Sequence, residues 1–246
     1  MRRIAVLAIL AGLAAAPAAT QPRPPMGTGT QTPAPAAPQP SVRPAAAPNV
    51  ERGRQIAENG TPAGALACTQ CHGMDGAANG SNTFPRIDGQ PAYYLFKQLD
   101  DYASGARDNP IMSPIAQSLT EEERQDVAAY YGTLRFVERP VSQAGAQADV
   151  QAMRMGREIV NVGIAERGVQ GCANCHGPEA AGLAPATPRL AGQWANYARA
   201  QFDAFRNSTR KNDVAAVMRD LSHRLTDDEI AAVSTYLETL QPARER

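Results

Sequence analysis

Cys68-Thr69-Gln70-Cys71-His72 and Cys172-Ala173-Asn174-Cys175-His176 are two copies of one pattern, and they use all four cysteines of the 246-residue chain. A Cys-x-x-Cys-His string reads as a c-type haem attachment site. Two thiols about one turn apart can each form a thioether with a vinyl group on one porphyrin edge. The next residue, His, then lies under the ring with an imidazole nitrogen for the iron. A Cys-x-x-Cys pair also serves as a disulfide, a redox dithiol or half of a zinc site. Zinc needs more ligands, and His223 is the only other histidine. A redox dithiol needs neither the His nor a second copy. The chain is therefore expected to carry two covalent haems c. Cys68, Cys71, Cys172 and Cys175 attach them, and His72 and His176 are the proximal ligands to iron.

Outward from these strings the chain repeats. Gly53-Arg54-Gln55-Ile56 matches Gly156-Arg157-Glu158-Ile159, and Pro85-Arg86-Ile87-Asp88-Gly89-Gln90 matches Pro188-Arg189-Leu190-Ala191-Gly192-Gln193. Tyr94, Gln98 and Arg107 match Tyr197, Gln201 and Arg210. A unit of about 95 residues is duplicated, which is not a short-period solenoid. The boundary falls near Arg139 to Asp149, where Pro, Ser, Gly and Gln cluster.

Each unit reads as helical. The first helix is expected over Val50–Asn59 and Val150–Val162. A middle helix starts at Pro91 with a stripe of Tyr94, Leu95, Leu99 and Tyr102, matched by Tyr197, Phe202 and Phe205. The last helix opens on a capping box, Thr120 with Glu123 and Thr226 with Glu229. Val127, Tyr130, Tyr131 and Leu134 face inward on one copy, and Ile230, Val233, Leu237 and Leu240 on the other. No segment alternates convincingly as a strand.

The sixth iron ligand separates electron transfer from catalysis, since an open position admits a reactant whereas Met fills the site and raises the potential. Met1 and Met26 lie in the leader and linker, Met74 is too near His72, and Met153 and Met155 fall in a first helix. Met112 and Met218 remain. Each lies seven residues before the Leu-Thr that opens the last helix. Core packing is the ordinary reading of a lone Met, but equivalent places in a haem-bearing repeat make these two the expected axial ligands. His223 is a competing ligand for the second iron or a surface histidine. The carbonyls of Pro85 and Pro188 are candidates to fix the free nitrogen of each proximal His. Arg86 and Arg189 are either partners of haem propionates or solvated loop charges.

Met1-Arg2-Arg3 with the apolar Ile4 to Ala16 reads as a secretory signal peptide, cleaved near Ala18 or Ala19. An uncleaved anchor is the alternative. The expected organisation is 1–19 signal peptide, 20–49 disordered Pro/Ala-rich linker, 50–140 first domain and 141–246 second domain. A formal net charge of zero gives no pointer to nucleic acid. The charge is uneven: eight basic and twelve acidic residues over 50–140 give −4, and twelve of each over 141–246 give zero.

These residues resemble the class I cytochromes c duplicated into a di-haem protein, most closely the cytochrome c4 type, over about residues 50–243. The resemblance rests on both haem strings, the Pro-Arg-Ile/Leu-x-Gly-Gln loops, Gln98/Gln201 with Arg107/Arg210, Met112/Met218 and the Thr-capped last helices. It implies two all-α domains related by a pseudo-twofold, each with a His/Met haem. It also implies an electron carrier in the bacterial periplasm rather than an enzyme, with a quinol-oxidising complex as donor and a haem-copper terminal oxidase as acceptor. The Pro/Ala linker departs from the pattern and leaves open a membrane tether or a fused subunit. Two other classes remain: a cytochrome subunit of a periplasmic dehydrogenase, and a di-haem peroxidase, which needs one iron open or His-ligated.

Overall fold

A computed structural model describes residues 47–78 and 83–241. The expected signal peptide and nearly all of the linker lie outside the described residues. The first repeat runs α1 (Val50–Asn59), α2 (Thr69–His72), α3 (Ala92–Ser104), α4 (Met112–Gln117) and α5 (Glu121–Thr133). After a one-turn helix α6 (Gln143–Ala146), the second runs α7 (Val150–Asn161), α8 (Cys172–His176), α9 (Ala195–Arg206), α10 (Val217–Arg224) and α11 (Asp227–Thr239). Both repeats belong to one compact unit.

The first and last helices of each repeat cross where a glycine permits it. A Cβ on Gly53 would lie 2.1 Å from the Asp126 carbonyl oxygen, and one on Gly156 would lie 2.3 Å from that of Ala232. Backbone therefore meets backbone, and α1 packs on α5 as α7 packs on α11. Both expected capping boxes are present, with Thr120 accepting from Glu123 N–H at 3.2 Å and Thr226 from Glu229 N–H at 3.3 Å. Apolar faces then close two cores. One holds Ile56, Leu95, Val127, Tyr130 and Tyr131, and the other holds Ile159, Phe202, Ile230, Val233 and Leu237.

Three details differ from the sequence reading. Helix α3 begins at Ala92, with Pro91 as its N-cap rather than its first helical residue. The second repeat contains a small antiparallel hairpin, β1 (Gly163–Ile164) with β2 (Val169–Gln170). Two-residue strands are too short to show alternation. Helix α7 stops at Asn161, with Val162 as its cap.

The repeats join by exchanged bonds. Gln90 Nε2 donates to the Arg189 carbonyl at 2.9 Å while its Oε1 accepts the Arg189 N–H at 2.9 Å. Gln193 mirrors it on Arg86, at 2.9 and 3.0 Å. The connector residue Phe136 sits between them, its ring centroid 3.7 Å from the Arg86 guanidinium carbon and 4.9 Å from that of Arg189.

Candidate haem centres

Each Cys-x-x-Cys-His string coils into one short helix, α2 or α8. A glycine follows each histidine at positive φ, 76° at Gly73 and 79° at Gly177, so the chain turns sharply away beneath the imidazole. His72 and His176 are buried, 7 % and 8 % exposed. The Nδ1 of His72 lies 2.9 Å from the Pro85 carbonyl oxygen, and that of His176 lies 2.8 Å from Pro188. With Nδ1 donating there, Nε2 is left to bind iron, as the sequence reading expected. Burial holds both imidazoles below the ordinary histidine range, against the pull of the carbonyls, and a neutral ring is the ligating form.

Burial also pushes the Cys68 and Cys172 thiols up to about 11. A thiol raised in this way is a poor nucleophile, which speaks against an active dithiol. Among the described residues no three His, Cys, Asp or Glu side chains converge as a metal-binding set. A porphyrin iron needs none, because the protein supplies only axial ligands. Trp194 adds a second indication. Its ring is buried at 4 % exposure, and its Nε1 donor has no acceptor. A buried donor without a partner is costly, and a carboxylate of a bound porphyrin would satisfy it. The residues fit a haem at each string.

Met112 opens α4, half-buried, and Met218 lies in the first turn of α10. Helix α4 packs on α3 and α10 on α9. Met218 packs against the same apolar cluster as Cys172, whereas Met112 is outside the cluster that holds Cys68. His223 is exposed at the far end of α10. Arg86 is not a solvated loop charge. It is 3 % exposed and gives two bonds to Asp88, at 3.2 and 2.8 Å. The second repeat has Ala191 in place of that aspartate.

The family model for cytochrome c matches residues 50–135 and again 166–241. The chain belongs to the cytochrome c family. It is 41 % identical over 179 residues to a thiosulfate dehydrogenase electron acceptor of Stutzerimonas stutzeri (strain A1501), covering 73 % of this chain and 81 % of that one. It is 39 % identical over 175 residues to cytochrome c4 of Thiocapsa roseopersicina, covering 70 % and 86 %. A solved structure of thiosulfate dehydrogenase from Marichromatium purpuratum is similar at a TM-score of 0.70 and 37 % identity. The match covers 79 % of this cytochrome but 41 % of that longer chain. This is a two-domain di-haem cytochrome of the c4 kind, all-α in its main architecture, with covalently attached haem c, and it carries electrons. Among the described residues no helix is long and apolar enough to cross a membrane.

Proposed function

We propose that the chain is a periplasmic electron relay of two domains, 50–140 and 141–246. Cys68, Cys71, Cys172 and Cys175 hold the haems, and His72 with Met112 and His176 with Met218 are the axial ligands. The observation that carries this is the matched pair of histidines, each buried and oriented by a proline carbonyl at 2.9 or 2.8 Å. A haem clamped on both faces supplies one-electron chemistry with little rearrangement. The polypeptide's part is to orient the imidazoles, exclude water and present one edge to a partner. No proton-transfer group is called for, which sets this reading apart from a peroxidase.

In the first reading the donor is a quinol-oxidising complex and the acceptor a haem-copper terminal oxidase. The relative named as an electron acceptor, at 41 % identity, supports a second reading in which a periplasmic dehydrogenase is the donor. The −4 charge of 50–140 favours a basic docking surface for that domain. Stopped-flow reduction by a purified thiosulfate dehydrogenase, set against reduction by a quinol-oxidising complex, decides between donors. Rapid, salt-dependent reduction by the dehydrogenase alone selects the second reading. Equal salt dependence of reduction and reoxidation contradicts the charge assignment.

A further inference from the structure

The two methionine loops are built differently. Met112 lies five residues after Arg107 (112 − 107), but Met218 lies eight after Arg210 (218 − 210), so the second loop is three residues longer. In the first repeat no residue of 108–113 has positive φ. Asn109 Oδ1 accepts the N–H groups of Ile111 and Met112 at 3.0 and 2.9 Å, and Ser113 Oγ donates to Asp108 at 3.0 Å. That turn is relaxed and fully bonded.

In the second repeat Ala215 and Ala216 both occupy the left-handed region, at φ 51° and 58°. A side chain disfavours that region, and two such residues in succession store strain that surrounding contacts must hold. Packing does not hold it, since Val214 and Val217 are 79 % and 53 % exposed. The restraint is Asp213. Its carboxylate, 5 % exposed, accepts the Arg219 N–H at 3.0 Å and Arg219 Nε at 2.8 Å. Arg219 is the residue after Met218, so the clamp closes across the ligand position. On the other side, Ser222 Oγ donates to the Met218 carbonyl at 2.6 Å.

We infer that Asp213 is a positioning residue for Met218, holding a strained loop that opposes the sulfur–iron bond, and that the second haem is the one whose sixth ligand exchanges. The inference rests on Met218 being that ligand. The exchange moves no electron: the sulfur leaves the iron and an incoming nitrogen base replaces it. Letting go of the iron removes one of two restraints on the alanines and leaves only the Asp213 clamp, whereas the first repeat has no such strain to release.

The test is imidazole titration of the oxidised, two-haem protein, following the weak red band of Met sulfur on ferric iron. Met112→Ala leaves the second haem as sole reporter of that band, and Met218→Ala leaves the first. The second haem is expected to take up imidazole at about thirtyfold lower concentration, the lower end of the scale that two left-handed alanines set. Ala215→Gly with Ala216→Gly, which removes the strain without disturbing the clamp, should narrow that gap. Asp213→Asn should widen it. Equal titration of the two haems, earlier titration of the first, or a gap unmoved by the glycine pair overturns the inference. A red band left at full strength by Met218→Ala instead overturns the ligand assignment beneath it.

Discussion

Arg107 and Arg210 pair with one another across the repeats as an isolated antiparallel bridge, and their guanidiniums share the same two glutamines. Gln98 Oε1 accepts from Arg107 at 2.7 Å and from Arg210 at 3.1 Å. Gln201 Oε1 accepts from Arg107 at 2.7 Å and from Arg210 at 2.8 Å. The tyrosines follow the same exchange: Tyr197 takes Arg107 at 3.2 Å and Tyr94 takes Arg210 at 3.4 Å. Burial would raise the Tyr197 phenol, but the two guanidiniums overrule it and hold it below the ordinary range. Both arginines are buried, at 6 % and 8 % exposure, and Asn212 Nδ2 gives Gln98 Oε1 a third donor at 3.0 Å.

Arg107→Gln is therefore expected to take one donor from each shared glutamine oxygen, which Arg210 still serves, and the donor of the Tyr197 hydroxyl, and to cost about 1–3 kcal/mol. Arg107→Lys should rescue little, because one ammonium cannot reproduce the planar fork. Denaturant unfolding followed at both haems checks this. The wild type should unfold in one transition and the Gln variant at a lower denaturant midpoint, still in one transition, because the Gln90–Arg189 and Gln193–Arg86 exchange also joins the repeats.

Gly53→Ala and Gly156→Ala each place a methyl against a carbonyl oxygen at a helix crossing. Each is expected to cost about 1–3 kcal/mol, the range for overpacking a well-filled core. Thermal melts of the two variants should each show a lower midpoint than the wild type.

Acid should weaken the start of α11. Burial works to raise Glu229, but Arg167 and the Thr226 N–H hold its carboxyl below the usual range. A carboxyl depressed in the folded state stabilises above its unfolded value, about 4.3, and the benefit is lost as pH falls through the lower folded value. Arg167→Met should accordingly be less stable than wild type near neutrality, with the difference narrowing below about pH 4. Equal differences at pH 7 and pH 3 would contradict the pairing.

The haem strings, the duplication, both capping boxes and the proline carbonyls were legible in the sequence because each is local and occurs twice. The matched Gly53 and Gly156 were visible as a repeat, but their reason, a backbone-to-backbone crossing, appears only in three dimensions. The solvated-charge alternative for Arg86 fails because the side chain is buried against Asp88, a partner that has no counterpart in the second repeat. Trp194 was passed over although it is the single tryptophan and directly follows the Pro188–Gln193 motif. The strained alanines left one trace, the change of offset from 103 at Arg210 (210 − 107) to 106 at Met218 (218 − 112). Backbone angles do not show in a stretch as plain as Val-Ala-Ala-Val.

The absorption spectrum of the oxidised protein, taken with haem quantitation, tests the account most directly. Two haems per chain are expected, with a weak red band of which Met112→Ala and Met218→Ala each remove about half. One haem per chain, or a band untouched by either substitution, would contradict it.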